Sequence, residues 1–225
     1  MAEQTAGTFT QSPAALAFST LYARAQNYVL GPSDTEVTTI AKEGINDAIK
    51  RLNTRDWNWA RTAASITFTA GEGGREYQLA TNFKSPRSFE LLDSSSRIVG
   101  RLGYLDPKSF DLETISRASG DPAYYTVFNP FDNGYLTLSG PPSAGWIAAY
   151  PTGRLRYNRR TALLSADADL FAGPSECEPF LVWHARSVLA AHWDPSKFSV
   201  AERMAERQWE YLVISDVKSQ ITDWS

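Results

Sequence analysis

The hydrophobic period changes twice along this chain, and that change limits the folds available to it. Near both ends, apolar residues recur every three or four positions, the spacing of one face of an α-helix. From Trp57 to about Tyr157 the period is close to two, which is typical of strands whose side chains alternate between two faces. The sequence therefore predicts an α+β protein whose helical ends flank a β-rich middle.

Start and stop residues define two N-terminal helices. Ser12-Pro13 opens the first helix and Gly31-Pro32 ends it, because glycine accepts a left-handed cap and proline cannot continue a helix. Ser33 and Glu36 have the spacing of a capping box for the second helix, which fades near Asn53–Asp56.

Two further helices are predicted near the C-terminus. Ser175 with Glu178 and Ser199 with Glu202 match the same capping pattern, and Asp194-Pro195 separates the two helices. We expect the pairs at 12–56 and 175–219 to form one antiparallel helical bundle. The β-rich domain at 57–160 is then an insertion, and 1–11 and 220–225 are flexible arms.

The middle segment reads as an antiparallel β-sandwich or barrel-like domain, because its strands follow one another without long helices between them. The glycine turn Gly71–Gly74 predicts a hairpin between the strands around Ile66 and Tyr77, and Asp132-Asn133-Gly134 predicts a second hairpin. A short helical piece is expected after Asp106-Pro107. Further strands are predicted at Phe89–Leu92, Ile98–Tyr104, Trp146–Tyr150 and Leu155–Tyr157.

No set of residues in the sequence adds up to an active site. Cys177 and His184 are seven residues apart on one predicted helix, about 10.5 Å along its axis, so they cannot form a nucleophile–base pair. One Cys and two His cannot build a structural zinc site, and His184 and His192 are eight apart rather than four. We interpret Asp167 and Asp169 as residues of a solvated loop that precedes a helix. We therefore expect no enzyme, no cofactor and no metal.

The charge and hydropathy of the chain argue against two classes of partner. The formal net charge is −3, whereas a dedicated nucleic-acid binder carries a basic excess that neutralises phosphates. No run of 18 or more apolar residues is present, and the first 11 residues lack an apolar signal core. Cytosolic synthesis without membrane insertion is the expectation.

Four arginines within seven residues form the strongest local charge cluster. Two-residue alternation places Arg154, Arg156 and Arg160 on one strand face and Arg159 on the other. We interpret them as a surface that contacts a DNA backbone or the carboxylates of a neighbouring chain, since arginine binds carboxylates and phosphates through a planar fork. The competing interpretation is a solvated or edge-protecting strand.

The order of several weak motifs resembles the head–tail adaptor proteins of tailed bacteriophages, including the tail tubular protein A type of short-tailed phages. The resemblance covers roughly residues 14–215 and rests on the order and spacing of these motifs together. The N-terminal part supplies Ile45, Asn46, Ala48 and Leu52, then Trp57-Asn58-Trp59, Phe68-Thr69, Tyr77-Gln78-Leu79, Asn82-Phe83 and Pro86. The later part supplies Gly120-Asp121-Pro122, Tyr125, Leu136-Thr137-Leu138, Pro141-Pro142, Tyr157-Asn158-Arg159-Arg160, Leu163-Leu164, Phe180, Leu181, Ala185, Leu189, Ala205, Trp209 and Leu212.

This resemblance implies a structural subunit of the virion neck. Copies of such a protein form a ring, typically a dodecamer, beneath the portal protein. The ring extends the channel through which double-stranded DNA passes, docks a tail, nozzle or stopper protein, and in some members helps to seat tail fibres.

We expect the C-terminal segment to order when it docks on the portal, a disorder-to-order step. Ser215, Lys218, Ile221 and Trp224 are the predicted portal-binding residues. Two other functions stay open at this point: another neck or tail completion protein (a stopper or terminator), and a carbohydrate-binding β module that uses exposed Trp and Tyr.

Overall fold

The computed structural model describes residues 16–29, 35–71, 74–116, 120–130 and 134–222. The chain divides into two compact units. A helical unit comprises Met1–Trp59 and Thr161–Ser225, and a β unit comprises Ala60–Arg160. The first predicted helix start at Ser12-Pro13, its stop at Gly31-Pro32 and the capping residue Ser33 lie outside the described residues.

The described residues form an α+β protein, as predicted, with six α-helices and seven strands. In chain order the elements are α1 Phe18–Gln26, α2 Thr35–Leu52, β1 Arg61–Thr67, β2 Glu76–Gln78, β3 Phe83–Leu92, β4 Ile98–Tyr104, α3 Pro107–Ser116, β5 Tyr124–Phe128, β6 Tyr135–Leu138, α4 Ala144–Ala149, β7 Thr152–Arg159, α5 Glu178–Trp193 and α6 Pro195–Thr222. Short 3-10 turns cover Asn58–Ala60 and Ser175–Cys177.

In the helical unit, α5 packs against α1, α2 and α6. The contact with α2 is close because Gly44 faces α5: a Cβ atom added there would lie 2.8 Å from the Cα of Ala185. Ile45 and Ile49 of α2 and Leu181 and Leu189 of α5 are fully buried in this unit. The apolar stripe that predicts α2 from the sequence therefore forms part of the helical core.

The prediction of two capping boxes near the C-terminus, at Ser175 and Ser199, was wrong. Ser175 lies in a 3-10 turn, where its hydroxyl donates to the Glu176 carboxylate at 3.4 Å and caps no helix. Ser199 lies inside α6, which begins four residues earlier at Pro195. The residue that precedes α6 is Asp194, whose carboxylate accepts hydrogen bonds from the Ser196 hydroxyl and the Lys197 ammonium. Ser and Glu at this spacing are common in helices, so the pattern alone does not fix a start.

The seven strands of the β unit form a single curled sheet in the order β1-β7-β3-β4-β5-β6-β2. All neighbouring strands are antiparallel except β4 and β5, which are parallel. The prediction of an antiparallel sandwich is therefore corrected to one mixed sheet. The parallel pair arises because α3, the helical piece correctly expected after Asp106-Pro107, returns the chain between β4 and β5.

The predicted hairpin across Gly71–Gly74 does not form. β1 pairs with β7 and β2 pairs with β6, so the two strands lie at opposite edges of the sheet. A glycine turn predicts a change of direction but does not select the partner, and β1 finds a seven-residue register on β7 from Arg61↔Asn158 to Thr67↔Thr152. The other predicted hairpin pairs β5 with β6 as expected, although Asp132 and Asn133 lie outside the described residues.

The predicted strand at Trp146–Tyr150 is a helix, α4. Ser143 caps it, because its hydroxyl oxygen accepts a hydrogen bond from the Trp146 N–H at 3.1 Å. The prediction failed because aromatic and β-branched residues in a short apolar run suit a strand and a buried helical turn equally. Trp146 and Tyr150 lie one turn apart and pack edge to face at 5.2 Å.

An aromatic core lies on one face of the sheet. Phe68, Phe89 and Tyr125 make successive ring contacts there, and Leu136 and Leu138 are fully buried beside them. Gly153 of β7 leaves room for two of these rings: a Cβ atom there would lie 2.4 Å from Phe89 and 2.7 Å from Phe68. Residues on the opposite face of the same strands carry the charged side chains considered below.

Candidate interaction surfaces

Cys177 and His184, the two residues with catalytic potential, are buried and half-buried, respectively, in the helical unit. Cys177 is 1% exposed, and burial, with the nearby Glu176, Asp216 and Glu178 carboxylates, raises its pKa to about 12, so its thiol stays protonated at neutral pH. Burial, with the charge of Arg51, lowers the pKa of His184. Within the described residues, no three His, Cys, Asp or Glu side chains come together as metal ligands.

Asp167 and Asp169 stabilise the loop between the β unit and α5. Asp167 forms a 2.7 Å ion pair with Lys42 of α2, and that hydrogen bond lowers its pKa. The Asp169 carboxylate accepts hydrogen bonds from the N–H groups of Ser165 and Ala166, at 2.7 and 2.8 Å, which lower its pKa. Both carboxylates therefore have local structural partners, in line with the solvated-loop interpretation.

The strongest charge cluster of the β unit surrounds one buried carboxylate, Glu90 of β3. Its side chain is 3% exposed and accepts hydrogen bonds from Nε of Arg154 at 2.8 Å and Nε of Arg156 at 3.1 Å. Arg101 of β4 approaches the same carboxylate at 3.8 Å. We call Arg101, Arg154 and Arg156 around Glu90 the arginine surface.

Strand register produces this cluster. Glu90 of β3 lies opposite Arg101 of β4 on one side and opposite Arg154 of β7 on the other. Paired residues of antiparallel strands project from the same face, so the three side chains form a row across the sheet. Ser65 of β1 extends the row opposite Arg154. The cluster thus combines the adjacent strands β3 and β4 with β7, which lies about fifty residues further along the chain.

The arginine surface retains positive charge after pairing. Burial raises the pKa of Glu90, but the hydrogen bonds and charges of Arg154 and Arg156 outweigh that effect and hold the pKa below its usual 4.5. One carboxylate cannot neutralise three guanidinium groups, so the cluster keeps a formal charge of about +2. The side chains of Arg101 and Arg156 are 68% and 49% exposed. Their outer N–H groups can therefore reach an acidic partner.

The four arginines predicted as one cluster separate in the structure. Arg154 and Arg156 share Glu90, whereas Arg160 follows the end of β7 and donates to the carbonyl of Pro130 at 2.8 Å. Arg159 is the last residue of β7 and lies opposite Phe83 of β3. Because β7 lies between β1 and β3, the edge-protecting interpretation was wrong. Sequence reasoning also missed Glu90 and Arg101; a lone carboxylate between Phe89 and Leu91 in an apolar strand was the available signal.

The exposed side of α6 forms a second surface. Val200, Tyr211, Ile214 and Val217 are 51%, 58%, 55% and 43% exposed, and Arg203 and Arg207 lie among them. At about 100° per residue, this side is opposite the buried residues Ala201, Ala205 and Leu212. We call these six exposed residues the α6 outer face. An apolar stripe that includes two arginines is typical of a protein–protein contact.

The predicted portal-binding residues lie at the end of α6. Ser215 is exposed, Lys218 and Ile221 are helical because α6 continues to Thr222, and Trp224 lies outside the described residues. Of the C-terminal arm predicted at 220–225, residues 220–222 therefore belong to the helix that also carries Ser215 and Lys218. Between them, Asp216 is 7% exposed: its carboxylate accepts from the Asn58 N–H at 2.8 Å, and its carbonyl accepts from the Asn58 side chain at 2.9 Å.

Aromatic packing adds to the hydrogen bonds that join Asp216 of α6 to Asn58. Trp57 is 3% exposed, stacks on Trp59 at 6.3 Å, and meets Trp209 of α6 edge to face at 5.4 Å. The Trp57 indole N–H donates to the carbonyl of Leu52 at 2.6 Å. The segment that follows α2 therefore contacts α6 through Trp57 and Asn58.

The two units carry opposite formal charge. The helical unit has 10 basic and 16 acidic residues, a balance of −6, whereas the β unit has 12 basic and 9 acidic residues, a balance of +3. The sum is the −3 of the whole chain. The α+β protein therefore combines two units of opposite formal charge with an exposed apolar helix face, features that are common in the class of proteins that bind other macromolecules.

The comparison with protein families agrees with this class. The model of the SU10 adaptor protein family matches residues 16–219, which include parts of both units. The chain belongs to the SU10 adaptor protein family, and it is a phage adaptor protein. A comparison with curated proteins found no match. Among the described residues, no helix combines the length and apolar character needed to cross a bilayer.

Proposed function

We propose that this protein is a structural head–tail adaptor subunit of the tail tubular protein A type. It forms a ring of about twelve copies beneath the portal protein. The ring extends the channel for double-stranded DNA and docks a tail, nozzle or stopper protein at the virion neck. The family match over residues 16–219 is the observation that carries the proposal, and the function needs neither a cofactor nor a metal.

The surfaces of the two units support a role in assembly. A ring subunit needs two different lateral faces and separate contacts for the proteins above and below it. The chain offers a basic arginine surface, the apolar and basic α6 outer face, and a C-terminal segment with an aromatic end at Trp224. Several distinct surfaces on one small chain suit a subunit with several protein neighbours.

The arginine surface is the proposed docking site for an acidic face of a neck or tail protein. Charge-assisted hydrogen bonds from guanidinium groups to carboxylates are strong and directional. A contact with DNA is the alternative, but a basic lining would retain the passing genome through its phosphates. The preferred orientation therefore turns Arg101, Arg154 and Arg156 toward a protein partner, and Arg159 and Arg160 lie at the border of that contact.

The C-terminal segment is the proposed portal contact, and the structure specifies where to truncate it. A deletion that starts at Ser215 removes the buried Asp216 and its hydrogen bonds to Asn58, so it would disturb the fold. Deleting 218–225 keeps this anchor and removes Lys218, Ile221 and Trp224. We expect the shorter deletion to fold with the circular dichroism of the full chain and to lose attachment to filled heads.

Reconstitution with the purified portal protein tests the proposal. Native mass spectrometry and cryo-electron microscopy of the mixture should show a ring of about twelve copies on the portal. The 218–225 deletion should remain unbound in the same mixture, and the control is the full-length Lys108→Glu variant, which keeps the segment, changes one exposed residue of the β unit and should bind as the wild type does. If the full chain forms no ring with the portal, the adaptor function is wrong. If the truncated chain still attaches, only the assignment of the C-terminal contact is wrong.

A further inference from the structure

The α6 outer face contains two arginines for which the described residues offer no partner. Arg203 and Arg207 are exposed, and neither forms an ion pair or hydrogen bond with a described side chain. They lie four residues apart, about 6 Å along the helix, on the side that also carries Tyr211 and Ile214. The neighbouring Glu206 is already paired with Arg51 of α2, at 2.6 and 2.8 Å.

The exposed side of α2 has the complementary charge. Glu36, Glu43 and Asp47 are exposed and lie on one side of the helix, because their separations of seven and four residues are close to whole turns. Lys50 pairs with Asp47 at 2.7 Å on the surface, and Glu43 has no described ion-pair partner. We call Glu36, Glu43 and Asp47 the α2 outer face.

The spacing of the charges matches between the two faces. Glu43 and Asp47 are separated by one helical turn, about 6 Å, as are Arg203 and Arg207. Two helices that pack side by side can therefore form two ion pairs at once. Tyr211 and Ile214 would add apolar area beside them, and such area supplies most of the stabilisation of a protein contact.

Within one molecule, no ion pair joins the described side chains of Glu43 or Asp47 to those of Arg203 or Arg207. α2 and α6 both pack on α5, which lies between them, and they touch each other through Arg51 and Glu206 on their inner sides. Glu43, Arg203 and Arg207 are exposed to solvent, and Asp47 lies at the border of the contact, where its charge, like those of Arg51 and Glu206, reaches His184 of α5. A subunit with complementary surfaces on different sides assembles head to tail, and such contacts close into a ring when the rotation between copies allows it.

We propose that the α6 outer face docks on the α2 outer face of a second copy of this chain, and that this contact repeats around the ring. The inference rests on the proposed function, because it names the lateral contact of the proposed adaptor ring. Arg203 and Arg207 pair with Glu43 and Asp47 of the adjacent copy, while Tyr211 and Ile214 pack beside those pairs.

Charge reversal on each face separately tests this contact. One variant carries Arg203→Glu and Arg207→Glu, the other carries Glu43→Arg and Asp47→Arg, and each is incubated with purified portal protein. Like charges then oppose each other at every contact, so the fraction of chain in rings should fall about tenfold or more for each variant alone. The control carries Arg61→Glu and Lys108→Glu, which are exposed residues of the β unit, and it should form rings as the wild type does.

Mixing the two variants gives the decisive measurement. In an alternating ring, every contact joins either two unchanged faces or two reversed faces, so an equimolar mixture should recover rings with an even number of copies. Native mass spectrometry identifies such rings because their mass is the sum of equal numbers of copies of the two variants, which differ in mass. A single chain that carries all four substitutions should also assemble.

Each result has a distinct meaning. Wild-type-like rings from both single-face variants would overturn the proposed contact and leave the adaptor function intact. Failure of both the mixture and the four-substitution chain, with circular dichroism showing folded protein, would also overturn it, because complementary charges would then not restore assembly. If the wild type itself forms no ring with the portal, the proposed function fails, and this inference fails with it.

Discussion

The helical unit and the β unit use charge in opposite ways. The helical unit has a formal balance of −6 and the β unit one of +3, although the whole chain is only mildly acidic. The β unit places three of its ten arginines around one buried carboxylate, whereas Glu36, Glu43 and Asp47 of the helical unit lie on an exposed helix face. The net charge of a chain therefore says little about the surfaces its partners meet, which are set by each unit separately.

One arginine-bound carboxylate in each unit makes the comparison quantitative. Glu90 is 3% exposed and interacts with three arginines. Glu206 is 49% exposed and interacts with Arg51 through two short hydrogen bonds. A buried carboxylate has lost its hydration, so its free energy depends strongly on the partners that bind it. Water screens the charges of an exposed pair and weakens their attraction.

The largest expected effect comes from removing these charges in turn. Glu90→Gln removes the charged acceptor of the hydrogen bonds from Arg154 and Arg156, so we expect the free energy of unfolding to fall by about 1.5–3 kcal/mol. Glu206→Gln should cost less than about 1 kcal/mol, because its pair is exposed. Urea unfolding of the two variants measures both values. Equal losses in the two variants would break the proposed contrast between the units.

Two close-packed glycines provide the next test. Gly44→Ala would place a methyl group 2.8 Å from the Cα of Ala185, and Gly153→Ala would place one 2.4 Å from the Phe89 ring. We expect each substitution to lower the free energy of unfolding by about 1–3 kcal/mol. The loss of unfolding free energy should be larger for Gly44→Ala than for Gly153→Ala, since the backbone of α5 moves less easily than an aromatic ring. The gain in helix propensity at Gly44, about 1 kcal/mol, is too small to reverse the sign.

Gly100→Ala is the matched control for the β unit. Its added methyl group would meet Leu91 at 3.5 Å, an ordinary contact, so its effect should be small. Hydrogen exchange can assign each loss to α2 and α5 or to β3 and β7. A Gly153→Ala variant as stable as Gly100→Ala would show that the aromatic core accommodates the methyl group.

A smaller effect is expected from pH. The arginines depress the pKa of Glu90 in the folded state, so the stability it contributes is complete above its unfolded pKa, about 4.3, and is lost as pH falls through the folded value. In Glu90→Gln, the slope of unfolding free energy against pH on the acid side should be shallower by up to about 1.4 kcal/mol per pH unit. Urea titrations between about pH 3 and 7 measure this slope. An unchanged slope would mean that Glu90 titrates normally.

The sequence was informative wherever neighbours along the chain decide the structure. The three- and four-residue spacing predicted α2 and α5, and Asp106-Pro107 correctly predicted the start of α3. Turn residues predicted the β5–β6 pairing because only a short connection separates these strands. The same kind of signal failed for β1 and β2, whose partners come from distant parts of the chain.

The candidate surfaces were only partly predictable for the same reason. The sequence placed Arg154 and Arg156 on one side of a strand, and the alternation of strand side chains makes that inference secure. It did not reveal that Glu90 lies between them and Arg101, because these residues come from three strands. Nor did it reveal that the buried Asp216 anchors α6 to Asn58 across more than 150 residues of chain.

By itself, the sequence determined most of the helical and extended segments and their apolar faces, with α4 as the exception, since backbone preferences and side-chain period act over a few residues. The tertiary structure alone decided which strands are neighbours, in what register, and which charges become buried. Those outcomes depend on contacts between distant segments, and the same local pattern can satisfy several of them. The three arginines around Glu90 exist as one surface only because β3, β4 and β7 align in a single register.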